Sequence, residues 1–113
     1  LNRIEIWNVM MHAYGMNGDA VNAKRLFDEM KTKTNVVADC KAYVTMFAAC
    51  SHGGNVEQAK QIWCEEMEPV THLKRDQLVV SAFVDCLARN GYLYEAYDAV
   101  CDYEQFGGAL CPE

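Results

Sequence analysis

The chain has 113 residues, a formal net charge of -6 and 51% hydrophobic residues, the size of one ordinary domain with enough apolar material for a core that needs no disulfide staples. No apolar run approaches the roughly 20 residues a membrane-crossing helix requires, and no basic segment followed by an apolar one stands at the start, so no membrane partner is expected. The acidic balance argues at first sight against nucleic acid, whose affinity is dominated by phosphate contacts.

In chain order, Trp7, Met10, Met11 and Tyr14 follow the i, i+3, i+4, i+7 spacing of one helical stripe. Gly18 stands where a helix end favours a residue tolerant of positive φ, and Asp19 follows as a candidate N-cap. A second stripe runs through Ala23, Leu26, Phe27 and Met30. Residues 31–38 carry no stripe and are closed by Asp39, a candidate cap for the next helix. The pattern then returns: Tyr43, Met46, Phe47 and Cys50, the turn at Gly54 and Asn55, then Ala59, Ile62 and Trp63. Residues 68–75 contain Pro69 and lead to Asp76, after which Val80, Phe83, Val84 and Leu87, Gly91, and Ala96, Ala99, Val100 and Tyr103 complete a third round.

Trp7, Gly18 and Ala23 thus recur as Tyr43, Gly54 and Ala59 and again as Val80, Gly91 and Ala96, at steps of 36 and 37 residues. A period of that length in helical wording predicts an array whose units bury their apolar faces by stacking on one another. The expected fold class is all-α: an α-solenoid of three helix-turn-helix repeats stacked as a right-handed superhelix, with boundaries at 4–39, 40–76 and 77–107 and a tail at 108–113. The start at Leu1 and the lack of an evident capping helix at the end read as a piece of a longer array with adhesive ends.

Cys40, Cys50, Cys64, Cys86, Cys101 and Cys111 are spaced 10, 14, 22, 15 and 10 apart with no C-x-x-C pair. Zinc is therefore not expected, and the thiols are expected to be reduced and buried or half-buried, as small hydrophobes.

Two-helix units of this period occur in several repeat classes, and wording chooses among them. The run Ile6-Trp7-Asn8-Val9-Met10-Met11-His12-Ala13-Tyr14-Gly15-Met16-Asn17-Gly18, followed by Ala23-Lys24-Arg25-Leu26-Phe27-Asp28-Glu29-Met30, resembles the W-N-x-M-I-x-x-Y-x-x-N-G and A-x-x-L-F-x-x-M phrases of the pentatricopeptide repeat family. The second repeat, with Ala49-Cys50-Ser51-His52-Gly53-Gly54, is similar to that family's long variant. The third, Val84-Asp85-Cys86-Leu87-Ala88-Arg89-Asn90-Gly91-Tyr92-Leu93-Tyr94-Glu95-Ala96, is similar to its short variant, as in arrays of alternating length.

The resemblance implies a module that binds single-stranded RNA in mitochondria or chloroplasts, one base per repeat, within complexes that process or edit transcripts. It also implies the reader residues, which are the one after the opening aromatic and the last of the repeat: Asn8 with Asp39, Val44 with Asp76, and Ser81, whose partner falls in the divergent tail. Asn with Asp implies a uracil preference. An Asn amide offers both donors and an acceptor, and the first stripe asks for no amide at that place, so an exposed Asn8 is expected; Val44 cannot hydrogen-bond. The base-flanking places are Glu5, Lys41 and Leu78.

Charge distribution is compatible with that implication. The first helices carry Glu5, Lys41, Asp85 and Arg89, which cancel, while the second helices become acidic in the second and third repeats. Lys41, Lys74, Arg75 and Arg89 are the basic residues near the presumed groove, enough for about three phosphate contacts and a shallow salt slope. His12, His52 and His72 form no H-x-E with a following C-x-x-C, and no Ser/His/Asp spacing or G-K-[ST] loop occurs. No catalysis, cofactor or small-molecule substrate is expected. The rival reading is a tetratricopeptide-like scaffold for protein partners, which the neutral groove suits equally well.

Overall fold

The structure is a computed structural model that describes residues 3–33, 38–66 and 76–106. Helix α1 spans Arg3–Met16, α2 Ala20–Lys33, α3 Cys40–Gly53 and α4 Val56–Gln61, which continues as one π-helical turn over Ile62–Glu66; α5 spans Gln77–Arg89 and α6 Leu93–Phe106. Among the described residues there is no strand. The tail at 108–113 lies outside them.

Each hairpin closes by the same local chemistry. Gly18, Gly54 and Gly91 have φ of 74°, 70° and 92°, the left-handed region where a Cβ is penalised. Past each glycine the next backbone N–H donates to a carbonyl five residues back: Asp19 to Tyr14 at 2.9 Å, Asn55 to Cys50 at 2.9 Å and Tyr92 to Leu87 at 2.8 Å. That bond is the longer of the two in a Schellman ending, and it satisfies a carbonyl the helix leaves open. The N-caps fall where the sequence places them. Asp19 Oδ1 accepts from the Asn22 N–H, Asp39 Oδ1 from Ala42 and Asn55 Oδ1 from Gln58.

The first helices of the three hairpins, α1, α3 and α5, pack side by side, and each second helix packs on its own first helix. Phe27, Met30, Met46, Phe47, Ile62 and Val79 are sealed in the core between them. One second-helix position makes the link to the next hairpin twice over: Phe27 meets Tyr43 edge-on at 5.2 Å, and Trp63 lies parallel on Phe83 at 4.3 Å. The outer seams are tied differently. Gln58 Nε2 donates to the Ala20 carbonyl at 3.0 Å between the first and second hairpins. Between the second and third, Lys60 pairs with Glu95 at 2.7 Å and lies over the Tyr92 ring.

Two expectations change. On α1 the buried line is Asn8, Met11 and Gly15, while Met10 is exposed. The stripe is rotated because the flank carrying Asn8 and Gly15 is the one α3 covers. Cys64 is exposed rather than buried, and the other described cysteines, Cys40, Cys50, Cys86 and Cys101, are free thiols at least partly covered.

Gly15 sets the closeness of the first seam. A Cβ built on it would come 2.9 Å from the Ala49 Cβ and 3.1 Å from its Cα, a separation only a glycine permits. Gly15→Leu should therefore destabilise the chain by about 1–3 kcal/mol through overpacking, whereas Met16→Ala at an exposed position of the same helix should stay within about 0.5 kcal/mol. Urea denaturation followed by circular dichroism separates the two.

Candidate nucleic-acid interface

Asn8, Val44 and Ser81 occupy one position in the repeat, and their burial is graded along the stack. Asn8 is 5% exposed, Val44 is half-buried and Ser81 is exposed. Asn8 lies two helical turns before Gly15, on the same side of α1, and that side abuts α3 at Ala49. Val44 looks the same way from α3, towards α5, where Asn90 Nδ2 reaches the Ser51 carbonyl at 3.5 Å. Ser81 presents the equivalent face of α5, which no described helix covers. The expectation of an exposed Asn8 is thus corrected: the position belongs to the seam between successive first helices, and the next helix shuts it.

Both polar atoms of the Asn8 amide, Nδ2 and Oδ1, are buried without a hydrogen-bond partner. A buried amide left in that state costs about 1–3 kcal/mol, and apolar packing gives no reason for it to be there. Ser51 Oγ is in the same condition on α3.

The two closing aspartates act as helix caps. Asp39 is exposed with Oδ1 on the Ala42 N–H at 2.9 Å. Asp76 Oδ1 accepts from the N–H groups of Leu78 at 2.9 Å and Val79 at 3.2 Å. Its Oδ2 accepts a third bond from the Cys40 thiol at 3.3 Å, joining the start of α3 to the start of α5. Burial pushes the Cys40 pKa up, and the hydrogen bond and charge of Asp76 add to it.

Of the places the sequence reading expects to flank a base, Glu5 is half-buried, Lys41 is exposed and Leu78 is 70% exposed. Arg89 is exposed and held by the Asp85 carboxylate at 2.8 Å, which spends part of its charge locally. Lys74 and Arg75 lie outside the described residues. Among the described residues, no three His, Cys, Asp or Glu side chains gather as a metal site.

Sequence reasoning missed the Cys40 to Asp76 contact. The signal available was positional: the two residues each sit at the head of a first helix, one repeat apart.

A solenoid of helical hairpins whose first helices line one side defines the class. The PPR repeat family model matches residues 3–52, and a PPR repeat model matches residues 41–65. Similar proteins include three pentatricopeptide repeat-containing proteins of Arabidopsis thaliana. One is 37% identical over 94 residues, 83% of this chain and 11% of that protein. Another is 34% identical over 94 residues, 83% of this chain and 14% of its own length. The third, called mitochondrial, is 31% identical over 97 residues, 86% of this chain and 15% of its own. No solved structure matches the chain. The chain belongs to the pentatricopeptide repeat family, whose members are in general RNA-binding proteins without catalysis of their own. It spans between 10% and 21% of the length of eight such relatives.

The thiols give a direct check on this geometry. Burial pushes Cys50 up to about 12, with Cys86 adding to it, and Cys86 up to about 11. Alkylation under native conditions, read by mass spectrometry, should label exposed Cys64 well ahead of Cys50 and Cys86, which stay unlabelled until unfolding. Because the unfolded thiols ionise near 8.5 and the folded ones stay protonated, stability should fall as pH rises from about 8.5 towards 11. Asp76→Asn keeps a capping side chain but removes the charge beside Cys40, so Cys40 alkylation at a fixed pH near 8 should become faster.

Proposed function

We propose that this chain is a single-stranded RNA-binding module in which successive first helices present one base-reading position each, acting in mitochondrial or chloroplast RNA processing or editing, with catalysis left to other parts of a longer protein or to partners. The observation that carries the reading is the Asn8 amide, buried in the α1–α3 seam with its donor and acceptor unpartnered. Such an amide is held at a cost and is ready for a group that can both donate and accept. The imide edge of uracil, with one N–H between two carbonyls, is such a group. For a base to reach it the seam must open slightly, and Asp39 stands exposed at the head of α3, the helix that covers Asn8. Val44 offers no hydrogen bond, and Ser81 offers a hydroxyl that donates or accepts. The organellar setting rests on family membership and on the word mitochondrial in the names of relatives.

The cation content predicts weak binding by three hairpins alone, with a shallow dependence on salt. The test therefore places this chain within a longer array and measures fluorescence anisotropy with RNAs that differ only in U or G opposite the first hairpin. Tighter binding of U is expected, and equal affinity at low salt would remove the role given to Asn8 and Asp39. Asn8→Leu should abolish the U preference while raising stability by about 1 kcal/mol, since it deletes an unsatisfied buried amide with little change of shape. A preference that survives in this variant counts against the reading.

A further inference from the structure

Asn8 is 5% exposed, with neither its donor nor its acceptor partnered, so something other than the amide's own preference keeps it covered. The contact between Gly15 and Ala49 is the closest approach of α1 and α3. Two turns earlier on both helices, the same seam sets Asn8 opposite Ala42, which is sealed in the core.

The second seam repeats this arrangement with larger residues. One repeat on, Ser51 and Cys86 stand where Gly15 and Ala49 stand in the first. The 3.5 Å contact from Asn90 Nδ2 to the Ser51 carbonyl shows that the matching ends of α3 and α5 adjoin. Val44, the counterpart of Asn8, is only half-buried there, although an apolar side chain gains from burial. Asn8 is sealed, although an unpaired amide loses by it. Side-chain preference would order the two the other way. The bulk of the seam pair orders them as observed: a glycine and an alanine let the helices close over Asn8, and a serine and a cysteine do not let them close over Val44.

We infer that Gly15 and Ala49 are positioning residues that hold α3 shut over Asn8 and so set how readily that amide is reached. The consequence for RNA rests on the reading of Asn8 given above; the control of the seam does not. Carbon atoms in contact rest about 3.5–4.0 Å apart, so a Cβ on residue 15, which would lie 2.9 Å from the Ala49 Cβ and 3.1 Å from its Cα, parts the helices there by up to about 1 Å. A close-packed interior transmits such a displacement rather than absorbing it, and Asn8 lies only about 10 Å further along the axis. Opening returns both polar atoms of the amide to water, which relieves a group destabilised by its burial.

The test compares Gly15→Ala with the double variant Gly15→Ala, Ala49→Gly, each shown to be folded by circular dichroism, within the longer array described above. Access is first read without RNA, as the alkylation rate of the thiol introduced by Asn8→Cys in each background, resolved by peptide mass spectrometry. Labelling should be several-fold faster with Gly15→Ala and should return towards the unaltered rate in the double variant, where the Cβ has changed sides of the seam. A mere loss of stability would instead make the double variant the fastest, since it adds a mid-helix glycine. That outcome overturns the inference, and so does labelling that Gly15→Ala leaves unchanged. With Asn8 intact, anisotropy should show Gly15→Ala binding the U RNA several-fold more tightly, with a smaller gain for the G RNA and a return in the double variant. A faster-labelled Gly15→Ala array that binds U no better, when the unaltered array prefers U, also overturns it. If U and G bind equally in every background, Asn8 loses its reading role, and the labelling rates still decide the control of the seam.

Discussion

The close approach of neighbouring first helices governs this molecule. α1 and α3 come together where Gly15 has no side chain to hold Ala49 away, and the same flank carries Asn8 into the seam. The distance between helices there decides three things at once: how much apolar surface each hairpin hides, how tightly the interhelical turns stack, and whether the position of Asn8 faces solvent or protein. In a repeat array the core is a row of such seams, each dependent on its neighbours.

Polar groups follow from that constraint. Where a helix end meets water, short side chains cap it, as Asp19, Asp39, Asn55 and Asp76 do. Asp76 also accepts a bond from the Cys40 thiol of α3, so one carboxylate caps α5 and holds the first turn of α3.

Much of the fold was legible in the sequence because it rests on local rules. Positive-φ glycines, cap residues and the 36-residue period are chemical requirements of single positions or short windows, and Gly18, Gly54, Gly91 and the caps stand where those rules put them. The rotation of α1 was not legible. Its apolar residues go nearly all the way round, with Ile6, Val9, Met10 and Met16 exposed, so periodicity cannot say which side another helix will cover. The burial of Asn8 was hidden for the same reason: a polar residue on a helix reads as solvent-facing unless the neighbour's approach is known. The π-helical turn at Ile62–Glu66 likewise has no single-residue signature, although it carries Trp63 onto Phe83.

The two outer seams are fastened by different means. An uncharged amide, Gln58 to the Ala20 carbonyl, joins the first pair of hairpins, and an ion pair, Lys60 to Glu95, joins the second. Counterions weaken an exposed ion pair and leave an amide bond almost untouched. Ionic strength therefore acts on this stack with a direction: the third hairpin's hold on the second loosens in brine while the first hairpin's does not, though the units look alike.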